Sequence, residues 1–215
     1  MSNDRENQPI WQADSAELFG TIELCEGVSI WPKVVMRAET HFIKIGQLTN
    51  IQDFVMIHIG SHETIIGEFC SITHHSTIHG ATIGDNCLIG INATIMDRAV
   101  IGNNSIVAGN TIVKEDSIFP ENSVIAGVPG KVIATKNNYV ANRINAMAYY
   151  ENAIAYSEQN YRRWSEQDYQ DKVDSWKEQF ESEILNIQSK SSLEVNSSAL
   201  DSRYEENFTR SPKFF

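Results

Sequence analysis

The chain is predicted to be mainly β, a parallel β-helix of roughly six triangular coils followed by one or more C-terminal α-helices. Two observations carry this. Ile83, Ile89, Ile95, Ile101, Val107, Val113, Phe119 and Ile125 fall at strict six-residue intervals, after earlier phases at Ile22-Val28-Val34, Ile45-Ile51-Ile57 and Ile66-Ile72-Ile78. The pattern then stops at Gly127-Val-Pro129-Gly130 and gives way to apolar residues spaced by three and four. A lone amphipathic helix or half-buried strand cannot show a period of six, whereas the hexapeptide repeat of a parallel β-helix does.

Each hexad supplies one short strand and one corner, and three hexads close a coil. The aliphatic residue points into the prism, and its branched β-carbon suits a pleated surface. Gly, Asn, Asp and Ser are expected to provide the bends at the corners. A single coil cannot bury its apolar face, so several must stack. Ile78 to Ile83 is a five-residue step, and His58 to Ile65 runs out of phase; such breaks mark bulges or excursion loops, often on the binding face.

The repeat divides the chain into an N-terminal segment over 1–20, the β-helix over 21–134, a helical region over 135–188 packed on it, and a disordered tail over 189–215, where Ser, Asn and charged residues dominate. Within the helical region, Tyr139 to Trp164 reads as one or two amphipathic helices, and Trp176 to Ile187 as a further one. Its aromatic stripe reads as packing. Arg162-Arg163 reads as a solvated face with salt bridges.

Composition narrows the function. The chain has 215 residues and a formal charge of −11, with a pI near 4.9, which argues against nucleic acid or an anionic membrane as partner. No run of 18 apolar residues exists, so no membrane span is expected. The polar N-terminus lacks the order of a secretory signal, and Cys25, Cys70 and Cys87 show no C-x-x-C pair. The expectation is a cytoplasmic protein with three reduced, buried cysteines.

The histidines carry the chemistry. His41 and His62 read as surface or corner residues. His58 and His79 are 21 residues apart, one coil plus a short excursion, so they can stack on one edge in adjacent coils. His74 and His79 lie five residues apart along extended chain, roughly 16 Å at ~3.3 Å per residue. A metal bonding two imidazoles at ~2.0–2.1 Å holds their nitrogens only about 3–4 Å apart. The spacing therefore predicts His58 and His79 from one subunit with His74 from its neighbour, three equivalent sites in a homotrimer.

Several ordered motifs resemble the gamma-class carbonic anhydrase family, left-handed β-helix proteins of the hexapeptide-repeat type. Val28-Ser-Ile-Trp-Pro32 followed by Val35-Met-Arg37-Ala-Glu39 resembles the family's segment ending Leu-Arg-Gly-Asp. Ile45-Gly46 through Thr-Asn50-Ile-Gln52-Asp53 is similar to its Ile-Gly-…-Thr-Asn-Ile-Gln-Asp motif, and Met56-Ile-His58 falls at the first ligand. Thr73-His74-His75-Ser-Thr-Ile78-His79-Gly80 resembles Gly-His-x-x-x-Leu-His-Gly, a register that selects His74 over His75. Ile83-Gly-Asp-Asn-Cys-Leu-Ile-Gly90 and Gly127-Val-Pro129-Gly130-Lys131 resemble later motifs. The resemblance implies a Zn2+ ion, with Fe2+ or Co2+ as alternatives, held by His58, His74 and His79 with one open position. It implies interconversion of carbon dioxide and bicarbonate through a metal-bound hydroxide at the subunit interface. Gln52 would orient the metal-bound water or substrate, Arg37 would pair with an acidic group across the interface, and Asp53 would anchor Arg37 or the local turn. Asn50 and Gln52 also read as corner amides satisfying backbone groups.

The departures matter too. Glu39 replaces the family's Asp, Ala38 its Gly, and Thr73 the Gly before the second ligand, where a left-handed backbone would be costlier. His75 would compete for the metal or carry protons, and His62 and Glu63 in the short excursion loop would carry protons. Two other classes stay open: a metal-binding assembly trimer with little hydration activity, and an acyl-CoA transferase on the same fold.

Overall fold

The computed structural model describes residues 9–187; the expected tail over 189–215 lies outside them. The architecture is a parallel β-helix of about six turns, then two C-terminal helices. One face is an eight-stranded sheet in which Trp11–Gln12, Ser29–Ile30, Asn50–Ile51, Ser71–Ile72, Leu88–Ile89, Ile106–Val107 and Ser123–Ala126 stack in order. The other two faces share the strand Val35–Ile45, which bends round a corner. Its first half pairs with Met56–His58 and its second half with Thr64–Ile66, both in parallel.

The interior follows from the period. Ile30, Ile51, Ile72, Ile89, Val107 and Ile125 form one fully buried column; Met36, Ile57, Ile78, Ile95 and Val113 form the second; Ile45, Ile66, Ile83 and Ile101 form the third. A smaller column at one corner, Thr49, Cys70, Cys87, Ser105 and Ser123, joins coils by hydrogen bonds, as from Cys70 N to Thr49 Oγ1 at 2.9 Å and from Ser123 N to Ser105 Oγ at 3.1 Å. Cys70 and Cys87 are buried, Cys25 is half-buried, and all three are free. Burial and the neighbouring Cys87 push the Cys70 thiol up.

Three expectations need correction. The stacked sheets begin at Trp11, ahead of Thr21: Trp11 pairs with Ser29, and Glu17–Leu24 runs beside Val35–Ile45 with a bulge at Gly20. The extra residues of that bulge are 39–41 of the longer strand; the first coil keeps the six-residue spacing, with Gln12, Leu18 and Leu24 in register with Ile30, Met36 and Ile45, but its first inward position is the polar Gln12. Second, the glycines that directly follow the repeat isoleucines are not the bends. The left-handed corners fall on Gly27 and Gly80 and on Lys33, Leu48, Phe54, Phe69, His75, Asn86, Asn92, Arg98, Asn104, Asn110, Asp116 and Asn122, so Asn, Asp and two glycines bend the chain as expected, whereas Gly46 and Gly67 have ordinary φ. Gly46 is required by close approach, since a Cβ there would stand 2.5 Å from the Gly67 carbonyl carbon one coil on. Third, Thr73 is not left-handed; that conformation falls on His75, with φ of 60°.

The last coil is closed by Lys131–Thr135, which pairs antiparallel with Ser123–Ala126 and covers the open edge. Helix α1 (Tyr139–Ser157) then runs back along the eight-stranded face, and α2 occupies residues 169–187. Small and amide residues on α1 allow the close approach: Ala146 and Ala153 are fully buried, and Asn142 Nδ2 donates to the Asn86 carbonyl at 2.8 Å. Trp11, Trp31, Tyr149, Tyr156 and Trp164 meet edge to face at centroid distances of 4.9–5.4 Å, fixing α1 over the first coils. Arg163 is buried, unlike the solvated face expected of it. It makes two hydrogen bonds to Asp168 at 2.9 and 3.1 Å and others to Glu166 and Glu151 at 2.6 and 3.3 Å, tying α1 to the start of α2.

Candidate metal centre

His58 and His79 occupy the same position in neighbouring strands and pair in register. The His58 carbonyl accepts from Thr64 Oγ1 at 2.9 Å and from Gly80 N at 3.1 Å, which fixes the backbone between the two rings. His58 Nδ1 faces His79 Nε2 at 3.1 Å. Each ring's other nitrogen meets a carboxylate: His79 Nδ1 lies 2.8 Å from Asp97 Oδ2, and His58 Nε2 lies 3.0 Å from Glu39 Oε2. Glu39 also accepts from the Arg37 guanidinium at 2.7 Å, an interaction within one chain. Desolvation opposes ionisation of Glu39, but its backbone hydrogen bond, His58 and Arg37 together hold the carboxyl below its usual value.

Counting protons tests whether this row suits a metal. Neutral imidazoles carry one N–H each. When both are given to the carboxylates, His58 Nδ1 and His79 Nε2 face each other with lone pairs only, an arrangement that repels unless a cation lies between. Their 3.1 Å separation is within the span that two metal–nitrogen bonds of ~2.0–2.1 Å allow. The carboxylates behind them are the partners that orient metal-ligating imidazoles. Asp97 Oδ1, meanwhile, is buried without a hydrogen-bond partner among the described residues, a cost of ~1–3 kcal/mol in ordinary surroundings. The residues fit a metal.

His74 stands on a different corner. Its Nδ1 meets Asp53 Oδ2 at 3.0 Å, and its Nε2 lies 3.5 Å from the Tyr149 hydroxyl at the mouth of a cavity of about 180 Å³ lined by Trp31, Asp53, Tyr149, Asn152 and Trp164. Burial pushes the Tyr149 phenol up to about 12, so it stays protonated and donates towards His74. Of the two roles expected for Asp53, its side chain meets His74 and not Arg37, while its carbonyl accepts from His75 N at 3.1 Å in the local turn. Among the described residues no group of three His, Cys, Asp or Glu side chains converges as a metal site within the single chain.

Gln52 and Asn50 lie buried beneath α1. Gln52 Nε2 donates to Asn50 Oδ1 at 2.9 Å, and Asn50 Nδ2 donates to Ser71 Oγ at 3.0 Å and to the Cys70 carbonyl at 3.3 Å. His75 stacks flat on Phe54, ring centroids 4.8 Å apart, beside but apart from His74. His62 Nδ1 meets the neighbouring Ser61 hydroxyl at 2.9 Å, on the exposed excursion with Glu63. Sequence reasoning missed Asp97, and it assigned Glu39 no contact with His58. A count of one coil finds Asp97, because it lies 18 residues after His79.

Comparison with known proteins agrees with the fold and the motifs. Residues 80–115 match the family described as bacterial transferase hexapeptide (six repeats). A probable carbonic anhydrase of Methanocaldococcus jannaschii is 44% identical over 140 residues, covering 64% of this chain and 88% of that protein. Mitochondrial gamma carbonic anhydrase 1 of Arabidopsis thaliana is 36% identical over 92 residues, covering 40% of this chain and 34% of that one. Among solved structures, a hexapeptide transferase family protein from Anaplasma phagocytophilum superposes with a TM-score of 0.57 at 29% identity, over 70% of this chain and 92% of that one. The fold and the His58–His79 pair define a hexapeptide-repeat protein with a candidate metal centre. The chain belongs to the gamma carbonic anhydrase family. Against several other curated relatives it spans half of their length or less.

Proposed function

We propose that the protein hydrates carbon dioxide reversibly at a metal centre between subunits of a homotrimer, with His58 and His79 from one subunit and His74 from the next. The observation that carries this reading is the facing pair of His58 Nδ1 and His79 Nε2 at 3.1 Å, each ring backed by a carboxylate. His74 has a similar character, an Nδ1 held by Asp53 and an Nε2 met, among the described residues, only by the Tyr149 hydroxyl at 3.5 Å, yet it belongs to another corner, so a neighbouring copy completes the set. Zinc, iron and cobalt all suit three imidazoles. Such an ion, when bound, supplies a nucleophile from water near neutral pH.

The chain's own residues have the remaining roles. Asp97, Glu39 and Asp53 hold the three imidazoles aimed, each through one ring nitrogen. Arg37 neutralises Glu39 and holds it beside His58. Gln52, fixed through Asn50 and Ser71, offers an amide on the His74 side to orient the reacting oxygen. His62, His75 and Glu63, all outside the pair, are the candidate proton carriers. Cys25, Cys70 and Cys87, which form no disulfide, suit a reducing cytoplasm.

Metal analysis of the purified protein, joined to a stopped-flow carbon dioxide hydration assay, tests the reading. Turnover that scales with metal content supports it. Full metal without hydration above that of the free ion would assign the centre to assembly, and acetyl-CoA binding without metal would assign the fold to acyl transfer.

A further inference from the structure

We infer that Asp97 is the positioning residue that fixes His79 in the Nδ1–H form with Nε2 bare, and that Gly60 and Gly80 are glycines in order to make room for it. This deepens the reading above, and rests on it only where metal affinity is concerned.

The geometry is specific. Asp97 Oδ2 takes the His79 Nδ1 proton at 2.8 Å. The other oxygen, Oδ1, has no partner among the described residues although it is buried. It lies between two backbones: a Cβ on Gly60 would fall 1.6 Å from Asp97 Oδ1, and one on Gly80 would fall 2.5 Å from it. The Gly60 position would also crowd His79 Cε1 at 3.2 Å. Gly80 is left-handed, with φ of 56°, and its N–H is already spent on the His58 carbonyl at 3.1 Å. The excursion loop that carries Gly60 and the turn after His79 therefore close on one carboxylate, which has no other hydrogen-bonding task than the ring. An orphaned buried oxygen is tolerated where the surrounding structure over-determines it. Here the ring orientation is what that structure secures, since a ligating imidazole needs its second nitrogen held by such an acceptor.

The test uses the metal-free full chain labelled with nitrogen-15, His79 being assigned by comparison with His79→Gln. Wild type is expected to show His79 protonated at Nδ1 and bare at Nε2. Asp97→Ala should move the ring towards the Nε2–H form. Gly60→Ala, which leaves the carboxylate but displaces it, should do so in part. Zinc competition with a chromophoric chelator should then show affinity about 10–100-fold weaker for Asp97→Ala, with a fold unchanged by circular dichroism. An unchanged His79 tautomer in both variants overturns the inference whatever the metal result. Wild type that binds no zinc, with the tautomer behaving as stated, would overturn the metal reading and leave the role of Asp97 standing. If Asp97→Ala fails to fold, Gly60→Ala decides by the same spectra.

Discussion

His58 Nδ1 and His79 Nε2 face each other at 3.1 Å across two neighbouring strands, while their outer nitrogens rest on Glu39 and Asp97. With both N–H groups turned to the carboxylates, two lone pairs at that distance suit a cation between them, and the two outer carboxylates supply the negative charge that would retain one. His58→Ala is therefore expected to abolish metal loading, because the row loses one of its two inner nitrogens. His75→Ala, whose ring is stacked on Phe54, should leave metal content unchanged. Elemental analysis of both purified variants checks this, and metal loss in His75→Ala would show that the register of the second ligand is wrong.

A metal shared between subunits couples loading to assembly, since an ion that binds only the assembled state stabilises it by mass action. Chelation should lower the melting temperature and shift sedimentation from trimer towards monomer, and added zinc should reverse both. A trimer indifferent to chelator would place its cohesion elsewhere.

Much of this was legible in the sequence, because a solenoid converts sequence distance directly into spatial position. The six-residue columns named the interior, and the spacing of His58 and His79 placed them together. A coil of 18 residues reaches Asp97 from His79, and the 21-residue step that joins His58 to His79 reaches Asp53 from His74, so both supporting carboxylates lie at coil spacing. What stayed hidden depends on atoms rather than period. The first coil opens on the polar Gln12 at an inward position, and three extra residues at 39–41 then shift the phase, so an apolar count does not reach back to Trp11. The close approach of Gly46 to Gly67 looks, in sequence, like a turn signal. Arg163 sits in a charge-rich stretch and gives no sign of the buried network that it anchors.

Gly46→Ala tests the close-approach account. Its new methyl would meet backbone of the next coil at 2.5 Å, and neither strand can yield without disturbing the columns behind it. Destabilisation of ~1–3 kcal/mol, as for an overpacked core, is expected in urea titration. Asn122, which is left-handed with φ of 62°, should tolerate glycine at much smaller cost.

The Arg163 network predicts a pH dependence with a definite sign. Hydrogen bonds from Arg163 hold the Asp168 carboxyl below its usual value, against a smaller upward push from desolvation. The folded value is thus lower than the unfolded one, near 3.9. The contribution is complete above the unfolded value and disappears as pH falls through the folded one. Docking of α2 on α1, followed by tryptophan fluorescence and limited proteolysis, should weaken below about pH 4. Asp168→Asn should remove that acid dependence, and a variant retaining it in full would assign the transition to another carboxylate.

Gln52 separates holding the metal from using it. Its side chain is buried and tied to Asn50, which is tied in turn to Ser71 and α1. It touches neither His58 nor His79, so Gln52→Ala should keep the full metal content. Under the proposed reading its amide matters most as charge develops on the reacting oxygen, and its loss should lower kcat by ~10²–10³, the usual effect of removing a strong preorganised donor. The competing role is structural: an amide that only completes the row beneath α1 would lower stability on removal and leave turnover per metal unchanged. Hydration rate per bound metal, measured beside thermal unfolding of the same preparation, distinguishes these. Asn50→Ala serves as the reference, since it removes the anchor of Gln52 and should reproduce part of the rate loss together with a larger loss of stability.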